Sequence, residues 1–104
     1  MWKGVSMDLQ VIPKQAEHVA WSQIDQEAIL LNLNNGFYYT LNEVGCDAWK
    51  LIDAQRTLRA ISAEMRALYA VEQAQIDRDL CALCAELQQE GLIILLESQA
   101  ENSV

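Results

Sequence analysis

The sequence predicts an α+β domain of winged-helix-like type, a three-stranded antiparallel sheet followed by three helices. Three observations carry this. Up to about Asn42 the chain reads as short β-rich runs broken by turn residues, and beyond it apolar residues recur at three-and-four spacing. The runs Glu27 to Leu33 and Phe37 to Leu41 flank Asn34-Asn35-Gly36, a hairpin signal. A length of 104 residues, 52% of them apolar, fills one core and leaves little room for a second. A single domain over residues 1–104, with its core from about 9 to 95, is therefore expected.

The register of the central hairpin follows from asking which loop length gathers apolar side chains on one face. A two-residue Asn35-Gly36 turn puts Asn32 among Leu30, Phe37, Tyr39 and Leu41. A three-residue loop with Gly36 in the left-handed region sets Leu33 opposite Phe37, Leu31 opposite Tyr39 and Ile29 opposite Leu41, a wholly apolar face. The second arrangement is the expected one. A preceding strand from His18 to Ile24 joins through a short turn at Asp25-Gln26, completing a three-strand meander.

Asn42 is the expected N-cap of a first helix that runs to about Asp53, with Leu41 and Cys46 placed as a hydrophobic staple. Ala48, Trp49 and Ile52 point inward, and Gly45 permits close approach to the sheet. Thr57 caps a second helix carrying Leu58, Ile61, Met65 and Leu68 toward the core. A third begins near Gln73, presents Ile76, Leu80, Leu83 and Leu87, and ends at Gly91 as a C-cap glycine. Leu92 to Leu96 reads as a short buried extension compatible with a strand.

Charge excludes several classes of partner. With 15 acidic against 7 basic residues the formal charge is −8, and Arg56, Arg59, Arg66 and Arg78 sit among Asp53, Glu64, Asp77 and Asp79. Nucleic-acid binding needs clustered Lys and Arg to displace counterions from phosphates, so neither nucleic acid nor an anionic membrane is an expected partner. The apolar runs Ala28 to Leu33 and Leu92 to Leu96 are too short to cross a bilayer. Met1 to Met7 lacks the apolar core of a signal peptide, so a cytoplasmic location is expected. Three cysteines, an odd number, argue against a disulfide scaffold.

Catalytic chemistry finds little support. Cys81-Ala82-Leu83-Cys84 is a CxxC, but it lies inside a helix instead of opening one, as a thioredoxin-type motif does. A small, half-buried apolar pair is the favoured reading, and a zinc site would have to recruit Cys46 and His18 from other elements. His18 has no nucleophile in a recognisable motif beside it. The acidic residues form no isolated pocketed pair, and the four glycines are dispersed. No catalytic residue, metal or cofactor is expected, and the chain is read as something other than an enzyme.

An edge remains. In a three-strand meander the strand Phe37-Tyr38-Tyr39-Thr40-Leu41 has one unpaired side and lacks the Lys or Pro that blunts natural edges. It invites an extended peptide as an added strand, unless Leu9 to Pro13 or a helix covers it.

The ordered run from Leu31 through Asn34-Asn35-Gly36-Phe37-Tyr38-Tyr39-Thr40-Leu41-Asn42-Glu43-Val44-Gly45, followed by Trp49 and Ile52, resembles the PqqD-like family. So does Asp79-Leu80 with Leu83 and Leu87 before Gly91-Leu92-Ile93, and the resemblance spans about residues 9 to 95. It implies a winged-helix-like recognition element that binds the leader of a ribosomally made precursor peptide and presents it to a modifying enzyme. The leader adds beside the third strand and packs on the third helix. Carried onto this chain, the site is Phe37, Tyr38, Tyr39, Thr40 and Leu41, with Asp77, Leu80, Cys81 and Cys84 on the helix. The family includes the chaperone of pyrroloquinoline quinone synthesis, which serves a radical SAM enzyme. It also includes stand-alone leader binders of lasso-peptide pathways, which serve a leader protease, and the Gly36-to-Gly45 run is closer to these. A winged-helix DNA-binding regulator is the alternative of another class. Either a monomer or a homodimer, paired through the third strand, is compatible with the sequence.

Overall fold

The computed structural model describes residues 8–97. Met1 to Met7, read above as lacking a signal-peptide core, lie outside the described residues. Strands β1 (Ile12–Gln15), β2 (Val19–Ile24), β3 (Glu27–Asn32) and β4 (Tyr38–Leu41) precede helices α1 (Glu43–Lys50), α2 (Leu58–Tyr69) and α3 (Gln73–Gln89), and β5 (Ile93–Leu96) follows. The expected meander is present as an antiparallel sheet ordered β2-β3-β4, with the three helices behind it.

A second, two-stranded sheet was not foreseen: β1 pairs antiparallel with β5, Ile12 opposite Leu96 and Gln15 opposite Ile93. The segment leading into β1 then secures α2. The first-turn N–H groups of Leu58 and Arg59 donate to the carbonyls of Val11 (2.9 Å) and Leu9 (3.0 Å), satisfying donors that a helix start leaves without intrahelical partners. The extension read at Leu92 to Leu96 is thus a strand with a partner some 80 residues away in sequence.

The tight turn at Asp25-Gln26 joins β2 to β3 as expected, with Ile24 opposite Glu27 and Asp25 at φ 57°. The β3–β4 register differs from the expected one. Ala28 faces Leu41, Leu30 faces Tyr39 and Leu31 faces Tyr38, so Leu33 to Gly36 forms a four-residue loop closed by Asn32 and Phe37. The core face is therefore Ala28, Leu30 and Asn32, while Leu33 and Phe37 are exposed. A polar residue is tolerated there because its side chain is satisfied. Asn32 Oδ1 accepts from the N–H of Asn34 at 2.9 Å, and Nδ2 donates to the carbonyl of Glu90 at 3.3 Å.

Helix starts follow the sequence. Asn42 Oδ1 accepts from the N–H of Gly45 at 2.9 Å, and Thr57 Oγ1 from that of Ala60 at 3.1 Å. A Cβ on Gly45 would lie 3.1 Å from that of Leu41, so glycine lets α1 turn tightly off the end of β4. Helix α1 ends at Lys50, short of Asp53, yet Ala48, Trp49 and Ile52 are buried as expected. Trp49 sits at the centre, with Trp21 edge-on to it at 6.2 Å. On α2, Leu58, Ile61, Ser62 and Met65 are buried and Leu68 is exposed, because the inward stripe continues to Tyr69 instead. On α3, Ile76, Leu80, Cys84 and Leu87 face the core.

Candidate functional site

The strand order leaves one side of β4 without a strand partner among the described residues. Pairing of β1 with β5, with Leu9 and Val11 bonded to the start of α2, removes Leu9 to Pro13 as a cover. In an antiparallel ladder, residues alternate in which side their backbone groups address. The Phe37 carbonyl accepts from the N–H of Asn32 at 2.9 Å, which sets the phase. Phe37, Tyr39 and Leu41 thus direct their backbone toward β3, and Tyr38 and Thr40 direct theirs to the open side. Side chains alternate the other way: those of Tyr39 and Leu41 pack against the core, and those of Tyr38 and Thr40 stay exposed.

Beside this edge lies α3. Between them runs a groove of about 200 Å³, lined by Tyr39, Thr40, Leu41, Leu83, Glu86, Leu87, Glu90 and Leu92. The Tyr39 hydroxyl donates to Glu90 Oε1 at 3.0 Å across the end of the groove. Burial, the hydrogen bond to Glu90 and that carboxylate's charge together raise the Tyr39 pKa, so the phenol stays protonated at neutral pH.

The end of α3 is fixed by local chemistry. Gly91, at φ 77°, donates to the carbonyl of Gln88 at 3.0 Å, and Leu92 donates to that of Leu87 at 2.8 Å, the paired bonds of a Schellman cap. Two side chains, one from β3 and one from the turn just before β2, hold that end in place. Asn32 donates to the Glu90 carbonyl, and His18 Nε2 lies 2.8 Å from that of Gly91. His18 thus ties the start of β2 to the end of α3.

The expected site residues divide into three groups. Tyr39, Thr40 and Leu41 line the groove, while Tyr38 lies on its edge, 71% exposed, and Phe37 just precedes β4, 64% exposed. Leu80 and Cys84, 3% and 0% exposed, belong to the core beneath. Asp77 lies on the opposite flank of α3, bonded to Ser62 of α2 and, at 2.9 Å, to Gln73. Cys81, one turn later, shares that flank and packs partly against the core. The structure therefore does not bring Asp77 and Cys81 to the groove. The α3 wall is Leu83, Glu86, Leu87 and Glu90, of which the sequence reading had only the leucines, and as core residues. The sequence shows this flank as two leucines and two glutamates at three-and-four spacing, without showing that the sheet lies beside it.

Burial shifts the cysteine pair away from thiolate. Burial pushes the Cys84 thiol up to about 12, and burial likewise raises Cys81 and Cys46. A reactive cysteine needs the opposite shift, toward thiolate. All three thiols are free of disulfides, and no group of three or more His, Cys, Asp or Glu among the described residues is placed to hold a metal ion. No described helix is long and apolar enough to cross a membrane.

A larger hollow, about 530 Å³, opens at the α2–α3 turn among Ala63, Arg66, Ala67, Ala70 and Val71. Its lining belongs to α2, α3 and the turn between them, with no strand among the described residues there, which is what sets the β4 groove apart.

Residues 27–93 match the family model described as coenzyme PQQ synthesis protein D (PqqD). The structure is similar to a solved chain described as TbiB1 in complex with the TbiA(beta) leader peptide, with 30% identity and a TM-score of 0.73, over 77% of this chain and 93% of that one. A chain described as lasso peptide synthetase B1 complexed with the leader peptide matches in fold, at 20% identity and a TM-score of 0.72, over 80% of this chain and 98% of that one. No curated protein matches the sequence.

Proposed function

The chain belongs to the PqqD family, and from that membership we propose that it captures the leader segment of a ribosomally made precursor peptide as an added strand on β4. The single observation that carries this reading is the open β4 edge lying directly against a groove walled by α3. The backbone of Tyr38 and Thr40 supplies hydrogen bonds that do not depend on sequence. Tyr39, Leu41, Leu83 and Leu87 select the side chains that point inward. Leu80 and Cys84 act from below, as the packed floor that keeps α3 at its distance from β4.

No bond is made or broken in this mechanism, and the chain is not itself an enzyme. It tethers the precursor so that the core peptide is held at raised local concentration near a partner enzyme. A leader protease of a lasso-type pathway is the partner we favour over a radical SAM enzyme of quinone-cofactor synthesis. The Gly36-to-Gly45 run, closer to the stand-alone binders, is the basis of that choice, and the likeness at 30% identity to a chain described with a leader peptide supports leader capture itself. A cytoplasmic location fits this role. The edge that takes a peptide would be occupied in a homodimer paired through β4, so the leader-binding form is not that dimer. A DNA-binding regulator is disfavoured by the charge of −8 and by α3, whose one basic residue is Arg78.

The test is an NMR titration of labelled protein with the leader of a short precursor encoded beside its gene. Saturable shifts at Tyr38 to Leu41 and along Leu83 to Glu90 are expected. Absence of shifts with that leader, and with leaders of lasso-type and quinone-cofactor precursors, would withdraw the function.

A further inference from the structure

The groove's charge specifies its ligand more narrowly than strand addition does. At the C-terminal end of α3, Glu86 and the cap residue Glu90 stand four residues apart, both exposed and both on the groove wall. Like charges at that spacing repel. They also sit at the end of the helix where the backbone dipole is already negative, and that last turn carries no basic residue. No Lys, Arg or His among the described residues lines the groove. Among the described residues the Glu90 carboxylate has one hydrogen-bond partner, the neutral Tyr39 hydroxyl, which leaves its charge uncompensated there. The free protein thus holds two carboxylates where its own helix disfavours them, and a cation brought by a ligand would relieve the strain. Over a longer range, the net charge of −8 draws cationic segments toward the surface.

Resting on the strand-addition reading, we infer that the bound peptide is of basic–apolar type. In a strand added to β4, the residues opposite Tyr39 and Leu41 point into the groove and those between them point away. Leu41, Leu83 and Leu87 form an apolar seat for one of these. The other, two residues along, lies beside Tyr39 and Glu90 and is a Lys or Arg, placed to bond Glu86 and Glu90. An acidic residue in that position would face both carboxylates.

The experiment is selection of a randomised twelve-residue peptide display library against the whole protein, followed by binding and NMR measurements on the enriched peptides. Lys or Arg is expected two positions from an apolar residue, in peptides that shift the amides of Tyr38 and Thr40. The double variant E86Q/E90Q is expected to bind those peptides about fivefold more weakly and to select no basic residue. Enriched peptides that shift Tyr38 and Thr40 but carry acidic or neutral residues there would overturn the inference and leave the strand-addition reading intact. Unchanged affinity in E86Q/E90Q would do the same. If no enriched peptide moves Tyr38 and Thr40, both fall together.

Discussion

The carboxamide of Asn32 donates to the backbone carbonyl of Glu90 at 3.3 Å, joining the end of β3 to the end of α3. The same side chain accepts from the N–H of Asn34 at 2.9 Å and so shapes the loop into β4. One buried polar residue therefore sets both walls of the groove. Asn32→Ala would leave the Glu90 carbonyl and the Asn34 N–H without these partners, and a loss of about 2 kcal/mol is expected. Urea denaturation would register it as a lowered midpoint with an unchanged slope, whereas an unchanged midpoint would mean that water replaces both bonds.

Thr40 offers the second test, because its N–H faces the open edge and makes no bond to β3. Proline is tolerated at such positions. Thr40→Pro is expected to keep the native circular dichroism while weakening bound peptide about tenfold, from one lost backbone bond and the ring's bulk. Thr40→Val keeps the N–H and should bind as the native chain does. Equal binding by all three would remove β4 as the docking edge.

The cysteines should differ in reactivity. Cys84 and Cys46 are 0% and 1% exposed and Cys81 is partly exposed, with all three thiols raised by burial. Iodoacetamide at pH 8 is expected to label Cys81 slowly, and Cys46 and Cys84 only after denaturation, as read by mass spectrometry. Rapid labelling of Cys84 in the folded protein would contradict the packing described.

Asp77 links acid stability to the α2–α3 contact. Its hydrogen bond from Ser62 is the largest influence; that bond and the one from Gln73 hold its pKa below the ordinary 3.8 against the opposing effect of burial. A depressed carboxylate contributes stability that is present above the unfolded value and lost as pH falls through the folded one. The native protein should therefore lose stability below about pH 3.8 more steeply than Asp77→Asn does. Parallel acid titration curves for the two proteins would show that this bond contributes nothing.

What the sequence disclosed was local. The Asn42 and Thr57 caps, the Gly91 stop and the turn at Asp25-Gln26 each depend on neighbours a few residues away, and each lies where it was expected. The β3–β4 register was not legible, because Asn32 is an acceptable core residue only once Glu90, 58 positions later, comes within reach. Strand β1 was hidden for a similar reason: Ile12-Pro13-Lys14-Gln15 shows no alternation, and its partner is near the other end of the described chain. For the candidate site, the edge strand could be read from its neighbours in sequence. The flank of α3 could not: a helical wheel shows that Cys81 and Leu83 lie on different sides of the buried stripe, but not which side the sheet occupies.

Strand β4 has four residues, about 13 Å of extended chain, and only two of them turn their backbone outward. A peptide laid there is read as a short word. Whatever precedes or follows that word is left unconstrained by this surface, so one address could be attached to many different cargoes without alteration of the reader.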